Sequence, residues 1–265
     1  MKKLSILAFA AIIFAACGGN KSANNAEEAD TLKSFEQEQI EASIKMHFDS
    51  IAAEFSKIDQ PKFVKDTKDG ITLTKEEKQV KPTYLLNAAV ADEATTLAEK
   101  YRILSALSVD KSIAKLYEMP TEDYEAAITK LAADIDDPSF KALDDTSTIY
   151  ETGQKLYDAM NENGRINYFW QLVASSLVEE IYVISQNTEK FITAFDDDSA
   201  ANVTFRIVLL SDAVARLANY DPEFEPVANA VEALSPLNAI SVDQLKAQLE
   251  EAKEKIAEAR ANLLK

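Results

Sequence analysis

Residues 165–187 read RINYFWQLVASSLVEEIYVISQN and are apolar around most of the circumference they would have as a helix. A helix at a protein surface carries one apolar stripe, whereas one apolar on nearly every side is surrounded by other helices. The segment therefore predicts the central rod of an all-α bundle. A turn of about 100° per residue sets Glu180 on the face of Phe169, Val173, Leu177 and Ile184, with Ser176 one turn back. Its neighbour Glu179 points with Gln171, Ser175 and Gln186 to the more polar side.

Segments on either side repeat the helical period with a single stripe. Ile40, Ile44, Phe48, Ile51, Phe55 and Ile58 recur at alternating fours and threes, as do Leu86, Val90, Leu97, Tyr101 and Leu104. Tyr124, Ile128, Leu131 and Ile135 do the same, and Leu245, Leu249, Ala252, Ile256, Ala259 and Leu263 carry the pattern to the end. Each stripe needs a partner to bury it. Helix-start chemistry agrees: Ser34 with Gln37 and Ser241 with Gln244 form capping-box patterns, and Asp137-Pro138 and Asp221-Pro222 place a capping acid before proline. The spacing predicts helices over 34–58, 83–108, 110–118, 121–135, 145–162, 165–187, 200–219, 223–234 and 241–264. Around Asp69-Gly70, residues 62–74 admit a small hairpin or a loop. With no linker-like break, residues 34–265 read as a single-domain multi-helix bundle of stacked antiparallel helices.

The amino end carries a different message. Met1-Lys2-Lys3, an apolar run from Leu4 to Ala16 and small residues before Cys17 have the order of a secretory signal segment. The run stops well short of the roughly 20 apolar residues that span a bilayer. Phe14-Ala15-Ala16-Cys17 resembles the lipobox of bacterial lipoproteins, with Phe14 where Leu is commoner, and Cys17 is the chain's one cysteine. That resemblance implies cleavage after a signal peptide at 1–16, acylation of Cys17 and anchorage by lipid in the cell envelope. The location implied is the outer membrane, at its periplasmic face or at the cell surface. Residues 17–33 then form the lipidated cysteine and a polar tether. With one cysteine no disulfide framework is available, so stability must come from the core.

The formal net charge of −17 becomes more negative still if Lys2 and Lys3 leave with the leader. Such a body repels phosphate backbones and anionic lipid, so nucleic acid is not an expected partner. The expected partners are the membrane, through the lipid anchor, and a protein or small-molecule ligand of unspecified kind. No phosphate loop or dinucleotide fingerprint is present, and no cofactor is expected. Glu99-Lys100-Tyr101-Arg102-Ile103, the run from Asp110 to Tyr117, Tyr124 with Lys130-Leu131-Ala132, Trp170 to Gln186 and the final stretch from Gln244-Leu245 are similar to a group of helical lipoproteins of Bacteroidota. The resemblance implies an all-α fold and no established activity. Asp30-Thr31-Leu32, Asp49-Ser50-Ile51 and Asp198-Ser199-Ala200 resemble short O-glycosylation sites of exported Bacteroidota proteins, which makes Thr31, Ser50 and Ser199 candidates. Ser199 also reads as a helix cap.

Candidate chemistry is sparse. His47, the one histidine, flanks the Ile44–Phe48–Ile51 stripe and would have to serve any histidine-based triad or metal site; the alternative is a boundary residue with its ring against the core. Glu180 among apolar neighbours is a candidate catalytic acid, or else half of a buried ion pair with Arg206, which flanks the Val203, Ile207, Leu210, Val214 stripe. Asp196 and Asp198, in an Asp-Asp-Asp run, are candidate metal ligands or helix-dipole partners. The expected function is a non-enzymatic binding or accessory module. The alternatives are a carboxylate-dependent hydrolase acting on glycans, with Glu180 as its acid, and a structural component of the envelope.

Overall fold

Caps set where the helices start. In this computed structural model, which describes residues 45–54, 71–142 and 153–264, Thr74 and Glu77 form a reciprocal capping box that opens α2 (Lys75–Gln79). Thr96 and Glu99 do the same for α3 (Leu97–Leu116). A helix at 45–54 is α1. Then follow α4 (Glu122–Ile135), α5 (Gly153–Glu162), α6 (Ile166–Gln186), α7 (Thr188–Phe191), α8 (Asp197–Ala218), α9 (Glu225–Glu232) and α10 (Val242–Leu263), with short 3₁₀ turns between some of them. Among the described residues there is no strand. The chain divides at His47 into two units. Of the first, only Lys45–His47 are described, and these are helical. The second unit begins at Phe48 and contains all the later helices.

Most expected helices appear close to their expected limits, and the departures have local causes. The stripe from Leu86 to Leu104 is not one helix, because Asn87 caps a 3₁₀ turn at Ala88–Asp92 and the Thr96 box starts α3 afresh. No break occurs near Ser108 to Asp110; α3 runs on to Leu116, since nothing there removes a backbone donor. Ser241 caps α10, yet the Gln244 side chain accepts from the Ile240 amide rather than from Ser241. Ser199 is not the cap of α8. Asp196 is, its Oδ1 accepting the Ser199 amide at 2.8 Å and the Ser199 hydroxyl at 2.6 Å. Of the 62–74 hairpin reading, Ile71 to Thr74 are irregular backbone leading into α2; the remainder lies outside the described residues, as do the Ser34–Gln37 box, the leader, Cys17 and the tether.

The central position of α6 follows from its composition. It packs against α3, α10, α5, α8 and α9, and from Phe169 to Ile181 every residue is buried. Trp170 lies fully inside, tilted against Phe48 at 5.6 Å between ring centres and edge-on to Phe169 at 5.1 Å. Pairings along the helices give their directions. Tyr101 stacks on Tyr168 at 4.7 Å, Ser105 donates to the Leu172 carbonyl at 2.7 Å, and Asn187, just past α6, donates to the Tyr117 hydroxyl at 3.3 Å. Residue numbers rise together, so α3 and α6 run parallel, with α4 and α5 between them in sequence. On the other side, Lys246 meets Glu189 and Arg260 meets Glu179, so α10 returns antiparallel to α6. Gly164, at φ +67°, makes the tight turn from α5 into α6, a conformation that costs glycine little.

Candidate functional site

The chemistry of this fold is concentrated on α6, whose buried Glu180, Glu179 and Gln171 reach α8, α10 and α3 respectively. Glu180 is buried, and Arg206 of α8 donates from Nη2 to its Oε2 at 2.9 Å. Arg206 is 1 % exposed. The structure thus brings Glu180 and Arg206 together as a buried ion pair between α6 and α8.

Glu179 does not face solvent. It is 1 % exposed, and Arg260 of α10 grips it with two parallel bonds, Nε to Oε2 and Nη2 to Oε1, both 2.8 Å. The same Nη2 lies 3.8 Å from Oδ2 of Asp110 on α3, beyond hydrogen-bond reach. Asp110 is completely buried. Its Oδ2 accepts the Leu86 amide at 2.6 Å, and the Leu86 carbonyl in turn accepts from the Tyr124 hydroxyl at 2.7 Å. The Arg260 guanidinium also sits over the Tyr182 ring, 4.4 Å from its centre, a favourable cation–π placement. Burial raises the Asp110 pKa well above the ordinary carboxylate range, and the neighbouring Glu179 charge pushes it the same way. Burial works against the charge on Arg260, but its bonds to Glu179 and its attraction to both acids outweigh this and hold its pKa above the usual value. Burial, then the charges of Asp110 and Glu179, push Tyr124 up to about 12.

A third polar contact closes the chain end. Arg102 of α3 donates from Nε to the Leu263 carbonyl at 2.9 Å and from Nη1 to Gln171 at 3.3 Å. Gln171 then donates to the Glu223 carbonyl at 3.1 Å. The guanidinium meets the last turn of α10, where carbonyls lack helical partners and a cation is favourable.

Helical spacing placed Glu179, Gln171 and Ser175 on one side of α6, but Glu179 and Gln171 are there to meet other buried polar groups, Arg260 and Arg102. Asp110 sits on α3 with Arg102 and Ser105, all buried, among apolar residues whose period masks them. The hint available in the sequence was the recurrence of single charged residues inside otherwise apolar helical runs.

The remaining candidates are placed singly. His47 is half-buried on α1. Ser50 is exposed, whereas Asp49 before it accepts the Tyr157 hydroxyl at 2.7 Å and Ile51 after it is buried. Thr31 and Cys17 lie outside the described residues. Asp196 serves as the α8 cap, and Asp197 accepts the Val242 amide at 2.9 Å, tying α8 to the start of α10. Among the described residues no group of three potential ligands is arranged to hold a metal ion. Asp196→Ala is expected to cost about 1 kcal/mol, the usual worth of an N-cap, read as a lower urea midpoint. Calcium at millimolar excess is expected to leave the wild-type melting temperature in place; a rise would make the run a cation site.

A small surface concavity of about 130 Å³ is lined by Leu73, Glu77, Val80, Tyr117, Asn187 and Lys190. Glu77 and Lys190 pair across it at 3.0 Å. The Thr74 amide, then Lys190, hold the Glu77 pKa below its ordinary value. Among the described residues no helix is long and apolar enough to cross a membrane. No protein family, curated protein or solved structure matched the chain.

Proposed function

We propose that this chain is a lipid-anchored protein of the bacterial cell envelope whose helical body is a non-enzymatic binding or accessory module. The observation that carries the anchor is the position of the single cysteine, Cys17, directly behind an apolar run and small residues. Acyl chains contribute about 0.8 kcal/mol per buried CH₂, so several of them hold a body of this size on a bilayer without help from basic residues. The strongly negative body could not supply that help. What supports the reading of the body is the use to which its buried acids are put. Glu180, the carboxylate that a glycan hydrolase would need, is committed to Arg206, and Glu179 is committed to Arg260. Acids that crosslink helices are poor proton donors to an external substrate, because a donor must lie within hydrogen-bond reach of the bond it acts on.

Cys17→Ser tests the anchor. The variant is expected to move from the membrane pellet to the soluble fraction and to lose incorporation of labelled fatty acid, with its helical content unchanged. A variant that still pellets with membranes would refute the anchor.

A further inference from the structure

The segment 71–87, which contains α2, is held to the bundle mainly by polar bonds. Within it only Ile71 and Leu73 are buried. Lys78 pairs with Glu118 at 2.6 Å, Lys190 with Glu77 at 3.0 Å, and Lys81 donates to the Tyr117 carbonyl at 2.5 Å. Its inner end is pinned at Leu86, through the amide to Asp110 and the carbonyl to Tyr124. A segment with few buried apolar contacts is the kind that opens locally ahead of the core. Its deepest attachment is therefore a carboxyl group that is wholly enclosed.

That carboxyl is in an unusual position. Arg260 stands between two buried acids and gives its two short bonds to Glu179, with its Nη2 3.8 Å from Asp110 Oδ2. Asp110 Oδ1 is buried with no hydrogen-bond partner among the described residues, and burial, then the nearby Glu179 charge, favour its neutral form. A carboxylate oxygen sealed from water with no donor aimed at it is costly, and carrying a proton on it removes the charge that makes it so. The groups facing Asp110 are Glu179 and Tyr182 from α6, Arg260 from α10, Tyr124 from α4 and Tyr84 from the 71–87 segment. Arg260 is the one positive charge among them.

We propose that Asp110 carries a structural proton, donated from Oδ1 to Glu179, and that losing it is a switch that releases the 71–87 segment. Protonated, the carboxyl satisfies Glu179 with its hydroxyl and Leu86 with its other oxygen. Ionised, it sets a second negative charge in the core against one guanidinium. Lifting Tyr84 and Leu86 lets water reach that charge at the cost of a few polar bonds. Burial and Glu179 raise the folded-state pKa of this acid, so its stabilising contribution is complete below the unfolded-state value and is lost as pH rises through the folded-state value. The segment is closed on the acid side and opens on the alkaline side.

Hydrogen exchange of the backbone amides from 84 to 92, compared between wild type and Asp110→Asn at each pH, tests this, because intrinsic exchange cancels in the ratio. Asparagine is the neutral isostere of the protonated acid, with an amide nitrogen that donates in place of the hydroxyl and a carbonyl that accepts. The two proteins are expected to exchange alike near pH 5, and the wild type about tenfold faster near pH 10, which corresponds to about 1.4 kcal/mol. Amides in α8 should show no such difference. If Asp110→Asn does not fold, two measurements stand without it. The wild type should show the infrared carbonyl band of a buried protonated acid near neutral pH, and in Glu179→Gln, where Arg260 is left to Asp110, the pH dependence of exchange should vanish. A ratio that does not change with pH, a missing band, or a pH dependence that survives in Glu179→Gln would overturn the proposal.

Discussion

Arg260→Met is expected to lower the unfolding free energy by about 3–5 kcal/mol at neutral pH, the cost of removing one partner from a buried charge pair. Methionine keeps an unbranched apolar stem of comparable length, so the loss is chiefly that of the guanidinium, which also lies over the Tyr182 ring. The substitution strips from two acids, one completely buried and one 1 % exposed, the one positive charge that faces them among the described residues. Burial without a counter-charge raises a carboxyl's folded pKa above its unfolded value. The missing stability is then greatest above the folded pKa and returns as pH falls toward the unfolded value, near 4. Urea titrations of both proteins across this range should therefore converge on the acid side. A gap that stays constant with pH would mean that Arg260 acts by packing alone.

Arg206→Met is expected to cost a similar amount, about 3–5 kcal/mol, because Glu180 would stay in the core without the guanidinium at 2.9 Å. Arg206→Met combined with Glu180→Leu is expected to recover to within about 1 kcal/mol of wild type or to exceed it, as buried pairs replaced by apolar residues often do. Urea midpoints of the two single variants and the double variant measure the coupling. Recovery in the double variant would show that Glu180 is held for its partner rather than for chemistry. Single variants within about 0.5 kcal/mol of wild type, the range of ordinary surface changes, would mean that the pair does not crosslink α6 to α8.

The Glu180–Arg206 pair was accessible from sequence because both residues lie on apolar faces of long helices, where a charge must find an opposite one. Glu179 was misplaced by the same reasoning. Periodicity sorts a helix into apolar and polar sides, and a polar side is ordinarily assigned to water. Here Gln171 meets Arg102 of α3 and Glu179 meets Arg260 of α10, so polar matches polar inside the bundle. A single helix's pattern contains no record of what its neighbours bring. Likewise the Leu86–Leu104 stripe had helical spacing without forming one helix, since a capping box at Thr96 outweighs a periodic pair of apolar residues upstream of it.

What the sequence determined by itself was the class of fold, the central place of α6 and most helix limits, because hydrophobic period and capping act over a few neighbouring residues. Tertiary structure alone decided that α3 runs parallel to α6, and that Asp110, Glu179 and Arg260, far apart in the chain, meet in the core. Those outcomes depend on which helices pack side by side, and the energy of a buried charge is set by partners that no local pattern names.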